Sequence, residues 1–271
     1  MVDVRPKKQL GQHFLHDRAI CSRIVASLSA AGATRIVEIG PGMGALTGEL
    51  LERFGERFAA VEVDSESISY LESHLPGLSG NIIRASILDL NLAETFGQHI
   101  ALIGNLPYNI SSPILFHLLE FRDAVHEGVF MLQKEVAQRI AADRGTKAYG
   151  ILSVLLQAFY GVEYLFDVGS GAFIPPPKVQ SGVLRLVRND VERLACDERL
   201  FSKVVKAAFG QRRKTLKNAL SGVFGGISIG PRWAHLRAEQ LAVSDFVALT
   251  LDISARMHPS TNELQGPSLP F

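Results

Sequence analysis

Two short stretches of this chain carry residue types and spacings that could do chemistry. The first is Arg35-Ile-Val-Glu-Ile-Gly-Pro-Gly-Met-Gly44, a strand-like run entering a glycine-rich turn. Gly40, Gly42 and Gly44 allow the backbone to pass close to a ligand where a side chain would clash. Glu62 follows 22 residues after Gly40, at the end of the next strand-like run. A doubly wound fold places an acid there to accept hydrogen bonds from ribose hydroxyls. The pattern is Glu-x-Gly-x-Gly-x-Gly, not the Gly-x-Gly-x-x-Gly dinucleotide fingerprint, and no Gly-Lys-Ser/Thr is present for a triphosphate. A nucleotide-type ligand is expected. The second stretch is Ile103-Gly-Asn-Leu-Pro-Tyr108, directly after a fourth strand-like run. Asn and Pro also build plain turns. Ligands of an open α/β sheet bind beyond the carboxyl ends of its strands, so this loop is expected to border the same cleft.

These stretches need elements to position them. Asp17 reads as an N-cap before apolar positions at helical spacing, closed by Gly32. Strands are expected over 35–40, 58–63, 81–85, 100–104 and 128–132, and helices over 45–54, 65–75, 113–121 and 149–160. Strands over 162–166 and 181–187 could form a hairpin at one sheet edge. Such alternation implies a mostly parallel sheet with helices on both faces. From about Asp190 the strand signals stop, and helices are expected over 198–209, 213–223 and 238–253. The expected division is an α/β domain over 1–190, a small all-α domain over 191–256 and a loose tail over 257–271.

Composition sets broader bounds. The chain has 271 residues, 47% hydrophobic and 20% charged, ordinary for a soluble globular protein. No apolar run is long enough to span a bilayer. The basic N-terminus lacks an apolar core, so no secretory signal is expected. Two cysteines, Cys21 and Cys196, make no disulfide framework. A cytoplasmic protein without a membrane partner is the default, and a monomer is expected. No His/Cys cluster has metal-ligand spacing. The net charge of +1 announces no nucleic-acid partner, and its distribution is more informative. Residues 199–217 hold seven Lys or Arg and no Asp or Glu, and Arg5, Lys7 and Lys8 form a smaller cluster. Either run could also be a solvated face.

The glycine loop resembles the S-adenosylmethionine loop of class I methyltransferases, a Rossmann-like fold. That resemblance implies Glu38 and Gly40 at the methionine end and Glu62 at the ribose. Asn105-Leu106-Pro107-Tyr108 resembles the catalytic motif of the N6-adenine methyltransferases. It implies that the Asn105 side-chain oxygen and the Leu106 carbonyl accept from the exocyclic amine, that Pro107 stiffens the loop and that Tyr108 stacks on the base. The amine is a poor nucleophile, and two acceptors favour the charge that develops on it.

Four further segments, 8–15, 172–181, 211–217 and 237–241, resemble motifs of the small-subunit ribosomal RNA adenine dimethyltransferases. The resemblance implies dimethylation of two adjacent adenosines near the 3′ end of small-subunit RNA, in a pre-ribosomal particle. It implies His13, Leu15, Gly42, Gly44, Ser86 and Ile87 as further cofactor contacts. Phe173 would face Tyr108 across the flipped adenine, and Lys178, Arg212, Arg213, Lys214 and Lys217 would contact phosphates. The family usually has Asn where this chain has His13, and Asp where it has Ser86. A large-subunit RNA methyltransferase of the macrolide-resistance type shares the Asn105–Tyr108 motif. A DNA N6-adenine methyltransferase would need a target-recognition domain, which is not evident. A non-catalytic assembly or transcription factor on the same fold is the reading from another class, against which intact Asn105, Tyr108 and Glu62 stand.

Overall fold

A computed structural model describes residues 4, 6, 7, 11–78, 80–226 and 228–257. Arg5, Lys8 and the tail beyond Met257 lie outside the described residues. The chain forms two compact units. One takes in residues up to 141 and 159–190, the other 142–158 and the chain from 191.

The first unit is built on a seven-stranded sheet. Its strands are β2 (Arg35–Ile39), β3 (Phe58–Glu62), β4 (Ile82–Arg84), β5 (Ile100–Asn105), β6 (Val125–Gln133), β7 (Tyr160–Val168) and β9 (Ser181–Arg188). The order is β4-β3-β2-β5-β6-β9-β7. The first five pair in parallel, while β9 pairs antiparallel with both β6 and β7. Ile36, Val37, Ala60, Ala101, Ile103, Val129 and Met131 are buried to 1% exposure or less. Such unbroken apolar runs mark strands covered on both faces. The covering helices are α1 (Arg18–Ser27), α2 (Thr47–Phe54), α3 (Ser65–His74), α4 (Leu92–Phe96), α5 (Ser111–Glu120) and α6 (Lys134–Ile140). Asp17 caps α1 as expected, accepting from the Ala19 and Ile20 amides. The unit has the expected Rossmann-like architecture, a mostly parallel sheet wound in both directions from β2.

Three features position the site. First, β2 has β3 on one side and β5 on the other, so the winding reverses there and a crevice opens beyond the carboxyl ends of β2 and β5. Second, Gly104 lets those two strands meet. A Cβ on it would lie 2.5 Å from the Ile39 carbonyl oxygen. Third, the link between β7 and β9 leaves the sheet. There β8 (Phe173–Ile174) pairs antiparallel with β1 (Phe14–Leu15), bringing Leu15 opposite Phe173. The expected edge hairpin is present as the β7–β9 pair, but β9 lies inside the sheet, next to β6.

The second unit holds α7 (Ile151–Gln157), α8 (Glu198–Gly210), α9 (Leu216–Ser221), α10 (Pro231–Ala234) and α11 (Val243–Met257). The sequence puts α7 with the α/β elements, but it packs on α8 and α11. Tyr149 and Phe209 meet edge-on, with ring centroids 6.0 Å apart, and Phe246 lies 5.9 Å from Phe209. Two expected helices start later than their spacing suggested. The 213–223 helix begins at Leu216, because Thr215 is extended, at φ −67° and ψ 157°. Arg213 and Lys214 therefore sit in a turn. The 238–253 helix splits, with a 3₁₀ turn at Ala238–Gln240, extended Leu241 and then α11. Among the described residues no helix is long and apolar enough to cross a membrane.

Candidate active site

The crevice in the first unit is a cavity of about 390 Å³. Its walls are residues 11–15, the β2 end and glycine turn, 61–63 at the end of β3, 85–88 after β4, and 105–110 from the end of β5. The two stretches that opened the sequence analysis thus border one space.

Gly40 and Gly42 line it with φ of +65° and +55°. A side chain is strained at those angles. At Gly42 a Cβ would also meet the Phe14 ring at 3.0 Å. Gly44 does not line the cavity. Its φ is +82°, and a Cβ there would press on Leu71 and Leu75. The expected ligand contact at Gly44 is corrected to helix packing: its close approach is to α3.

Glu62 is 5% exposed. Its Oε1 accepts from the Val63 and Asp64 amides at 2.8 and 2.9 Å, and its Oε2 accepts from the Gly42 amide at 3.1 Å. A carboxylate has roughly four acceptor positions, so Oε2 retains one for a ligand hydroxyl. Burial raises the Glu62 carboxyl above the usual range, opposed by those amides. Glu38, at the cavity wall, is 2% exposed and takes a 2.7 Å hydrogen bond from the Thr47 hydroxyl. Burial pushes its carboxyl up to about 8. His13, Leu15, Ser86 and Ile87 all line the cavity. Ser86 Oγ already accepts from the Leu88 amide at 3.2 Å. This set fits a nucleoside carrying an amino-acid end: a glycine cradle, a ribose-type acceptor and a second acid.

Asn105 ends β5, and Leu106 is held by its amide on the Met131 carbonyl at 2.9 Å. The Asn105 amide nitrogen donates to the His13 carbonyl at 3.0 Å. A carbonyl oxygen takes only a donor, so this contact identifies Nδ2 and leaves Oδ1 as the acceptor of a side chain that lines the cavity. Pro107 and Tyr108 line the cavity too. Phe173 does not. It is 2% exposed and belongs to the core with Leu15, Val168 and Ala172. The ring expected opposite Tyr108 is, in this arrangement, a core ring, because β8 folds inward onto β1. The ring that does meet Tyr108 is His13.

Lys178 is exposed on the β8–β9 link. In the second unit Arg213, Lys214 and Lys217 are exposed, and Arg212 donates to the Thr146 carbonyl at 3.2 Å. Among the described residues no group of His, Cys, Asp or Glu is placed to hold a metal ion. Sequence reasoning missed the tie between the N-terminal segment and the β3 loop. Lys7 pairs with Asp64 and lies 3.1 Å from Glu66, and Gln12 reaches Asp64 at 3.5 Å. Asp64 also caps α3. Its position two residues after Glu62 was the available signal.

A model of the family described as ribosomal RNA adenine dimethylase matches residues 4–255. The ribosomal RNA small subunit methyltransferase A of Porphyromonas gingivalis is 51% identical over 255 residues, covering 93% of this chain and 98% of that protein. The Cytophaga hutchinsonii protein of the same name is 49% identical over 258 residues, covering 94% of this chain and all of that one. The crystal structure of a dimethyladenosine transferase from Plasmodium falciparum shares the fold, with a TM-score of 0.76 at 24% identity, over 90% of this chain and 98% of that one. A match of that extent decides the assignment: this chain belongs to the ribosomal RNA adenine dimethylase family of S-adenosylmethionine-dependent methyltransferases.

Proposed function

We propose that the chain dimethylates N6 of two adjacent adenosines near the 3′ end of small-subunit ribosomal RNA, acting on a pre-ribosomal particle. The observation that carries this is Asn105: its amide is tied to the His13 carbonyl, leaving Oδ1 as an acceptor beside the glycine cradle. Relatives named for small-subunit RNA, about half identical across nearly their whole length, support the substrate.

S-adenosylmethionine supplies a methyl group already activated on a sulfonium. The chain's residues do the rest. Glu62 holds ribose hydroxyls, and Glu38 with the Gly40–Gly42 turn lies at the methionine end, with His13, Leu15, Ser86 and Ile87 completing the walls. Asn105 Oδ1 and the Leu106 carbonyl accept the two N–H groups of the target amine and favour the positive charge it gains during transfer. Tyr108 stacks on the base, worth roughly 1–3 kcal/mol. Pro107 keeps the loop stiff, so the amine is aligned for in-line displacement. Phe173 joins the base only if its ring leaves the core. Lys178, Arg212, Arg213, Lys214 and Lys217 supply phosphate contacts, giving salt-sensitive binding.

The test is to incubate purified protein with labelled cofactor and immature small subunits and to map dimethyladenosine. Label on two adjacent adenosines near the 3′ end is expected. Asn105→Ala is expected to lose about 10²–10³ in rate, the scale of removing one preorganised polar group from a transition state. No label with wild-type protein overturns the reading, and full activity in Asn105→Ala overturns the acceptor role.

A further inference from the structure

Tyr108 is held from two sides, one hold reaching the first residue of β9 and the other the link that precedes it. The Tyr108 hydroxyl lies 2.6 Å from the Ser181 hydroxyl. Ser181 is the first residue of β9, is fully buried and pairs with Gln133 in the sheet. Its backbone is therefore fixed by the sheet rather than by a loop. On the other side the His13 ring stacks on Tyr108, with centroids 5.6 Å apart and planes at 28°. His13 Nδ1 in turn lies 2.8 Å from the Pro175 carbonyl oxygen. A carbonyl only accepts, so Nδ1 carries the proton.

Two consequences follow for the ring. At 5.6 Å the His13–Tyr108 pair is already in contact, so a base has only the opposite face of Tyr108 to stack on. Stacking itself does not use the phenol hydroxyl, because every aromatic ring offers a π-face. The hydroxyl is spent on an anchor. Rotation of the ring about its Cα–Cβ bond would break the bond to Ser181 and open the contact with His13 together.

We propose that Ser181 is a positioning residue for methyl transfer: through its hydroxyl it sets the angle at which Tyr108 presents its free face to the target base, with His13 as the backstop. This rests on the reading of Tyr108 as the stacking ring. It also links the two motifs physically, since the segment ending at Ser181 then acts on RNA through the loop at 105–108.

The experiment measures kcat and KM of the full-length protein on immature small subunits, and the cofactor dissociation constant by calorimetry. The variants are Tyr108→Ala, Tyr108→Phe, Ser181→Ala and the Tyr108→Phe/Ser181→Ala double. Tyr108→Phe and Ser181→Ala are each expected to lower kcat/KM for RNA about three- to tenfold, the range for one neutral hydrogen bond. Cofactor affinity stays unchanged, and the double variant is no worse than the weaker single, because one bond is lost only once. Tyr108→Ala falls further. Should Ser181→Ala fold poorly, Tyr108→Phe tests the same bond without touching the buried position. Wild-type kinetics in Tyr108→Ala would sink the stacking reading and the positioning role with it. A damaged Tyr108→Ala beside wild-type kinetics in Tyr108→Phe overturns the positioning role alone. So do two single defects that multiply in the double.

Discussion

Glu38 retains its proton through neutral pH, since burial pushes its carboxyl up to about 8, with the Glu62 charge adding and the Thr47 hydrogen bond opposing. In the unfolded chain the group titrates near the ordinary carboxylate value. Between those two values the folded chain binds more protons than the unfolded one, so stability falls as pH rises. The Glu38 contribution is complete below the unfolded value and lost above about 8. A calorimetric melting series from pH 5 to 8 on ligand-free protein is expected to slope downward, and Glu38→Gln is expected to flatten it. Equal slopes would place the titration elsewhere. Ser86 gives a second prediction. Its single oxygen already caps the turn at Leu88, which leaves one uncharged lone pair for an amine of the cofactor. Ser86→Asp offers one oxygen to the cap and one to the amine, and is expected to tighten cofactor binding. An unchanged or weaker dissociation constant would count against that assignment.

The pair β2 and β5 decides whether the two loops share a cavity, and Gly104 decides how close those strands come. Gly104→Ala sets a Cβ 2.5 Å from the Ile39 carbonyl, and backbone must move to admit it. The expected cost is roughly 1–3 kcal/mol, with weaker cofactor binding because Ile39 leads into Gly40. Gly161→Ala is the control: its Cβ would meet nothing nearer than 3.7 Å, so melting temperature and cofactor affinity should match wild type. Equal behaviour of the two variants would remove the role given to Gly104. Strands β2, β3 and β5 were legible as apolar runs with a turn residue at or soon after their ends. Helix α6 was not, because Gln133 passes from β6 straight into Lys134 with no Gly, Pro or side-chain cap between them. The Asn105–Tyr108 and Glu62 positions were legible from type and spacing. Phe173 was placed opposite Tyr108 on the family resemblance, and two-residue strands such as β1 and β8 leave no periodicity to show which way a ring turns. Ser181 and Asp64 act through partners 73 and 57 residues away in sequence, a distance that local patterns do not encode.

At the scale of the whole chain, the second unit is discontinuous: α7 comes before β7 and β9 in sequence, yet packs with α8 and α11. Cutting after Asp190 therefore does not release a clean domain. The fragment 1–190 is expected to expose Val154, Leu155 and Leu156, buried in the whole protein, to bind a hydrophobic dye and to aggregate. A monodisperse, dye-silent fragment would return α7 to the first unit. The same discontinuity sets a clock on synthesis. The chain emerges from the ribosome in order, at about 5–20 residues per second. Residues 151–157 appear first, and α8 some seconds later. During that interval the apolar side chains of α7 have no partner, while strand β9, next to β6 in the finished sheet, has itself yet to be made. The nascent chain thus passes through a stretch in which neither unit can close, and protection by a chaperone is most valuable while residues 158–210 are being added.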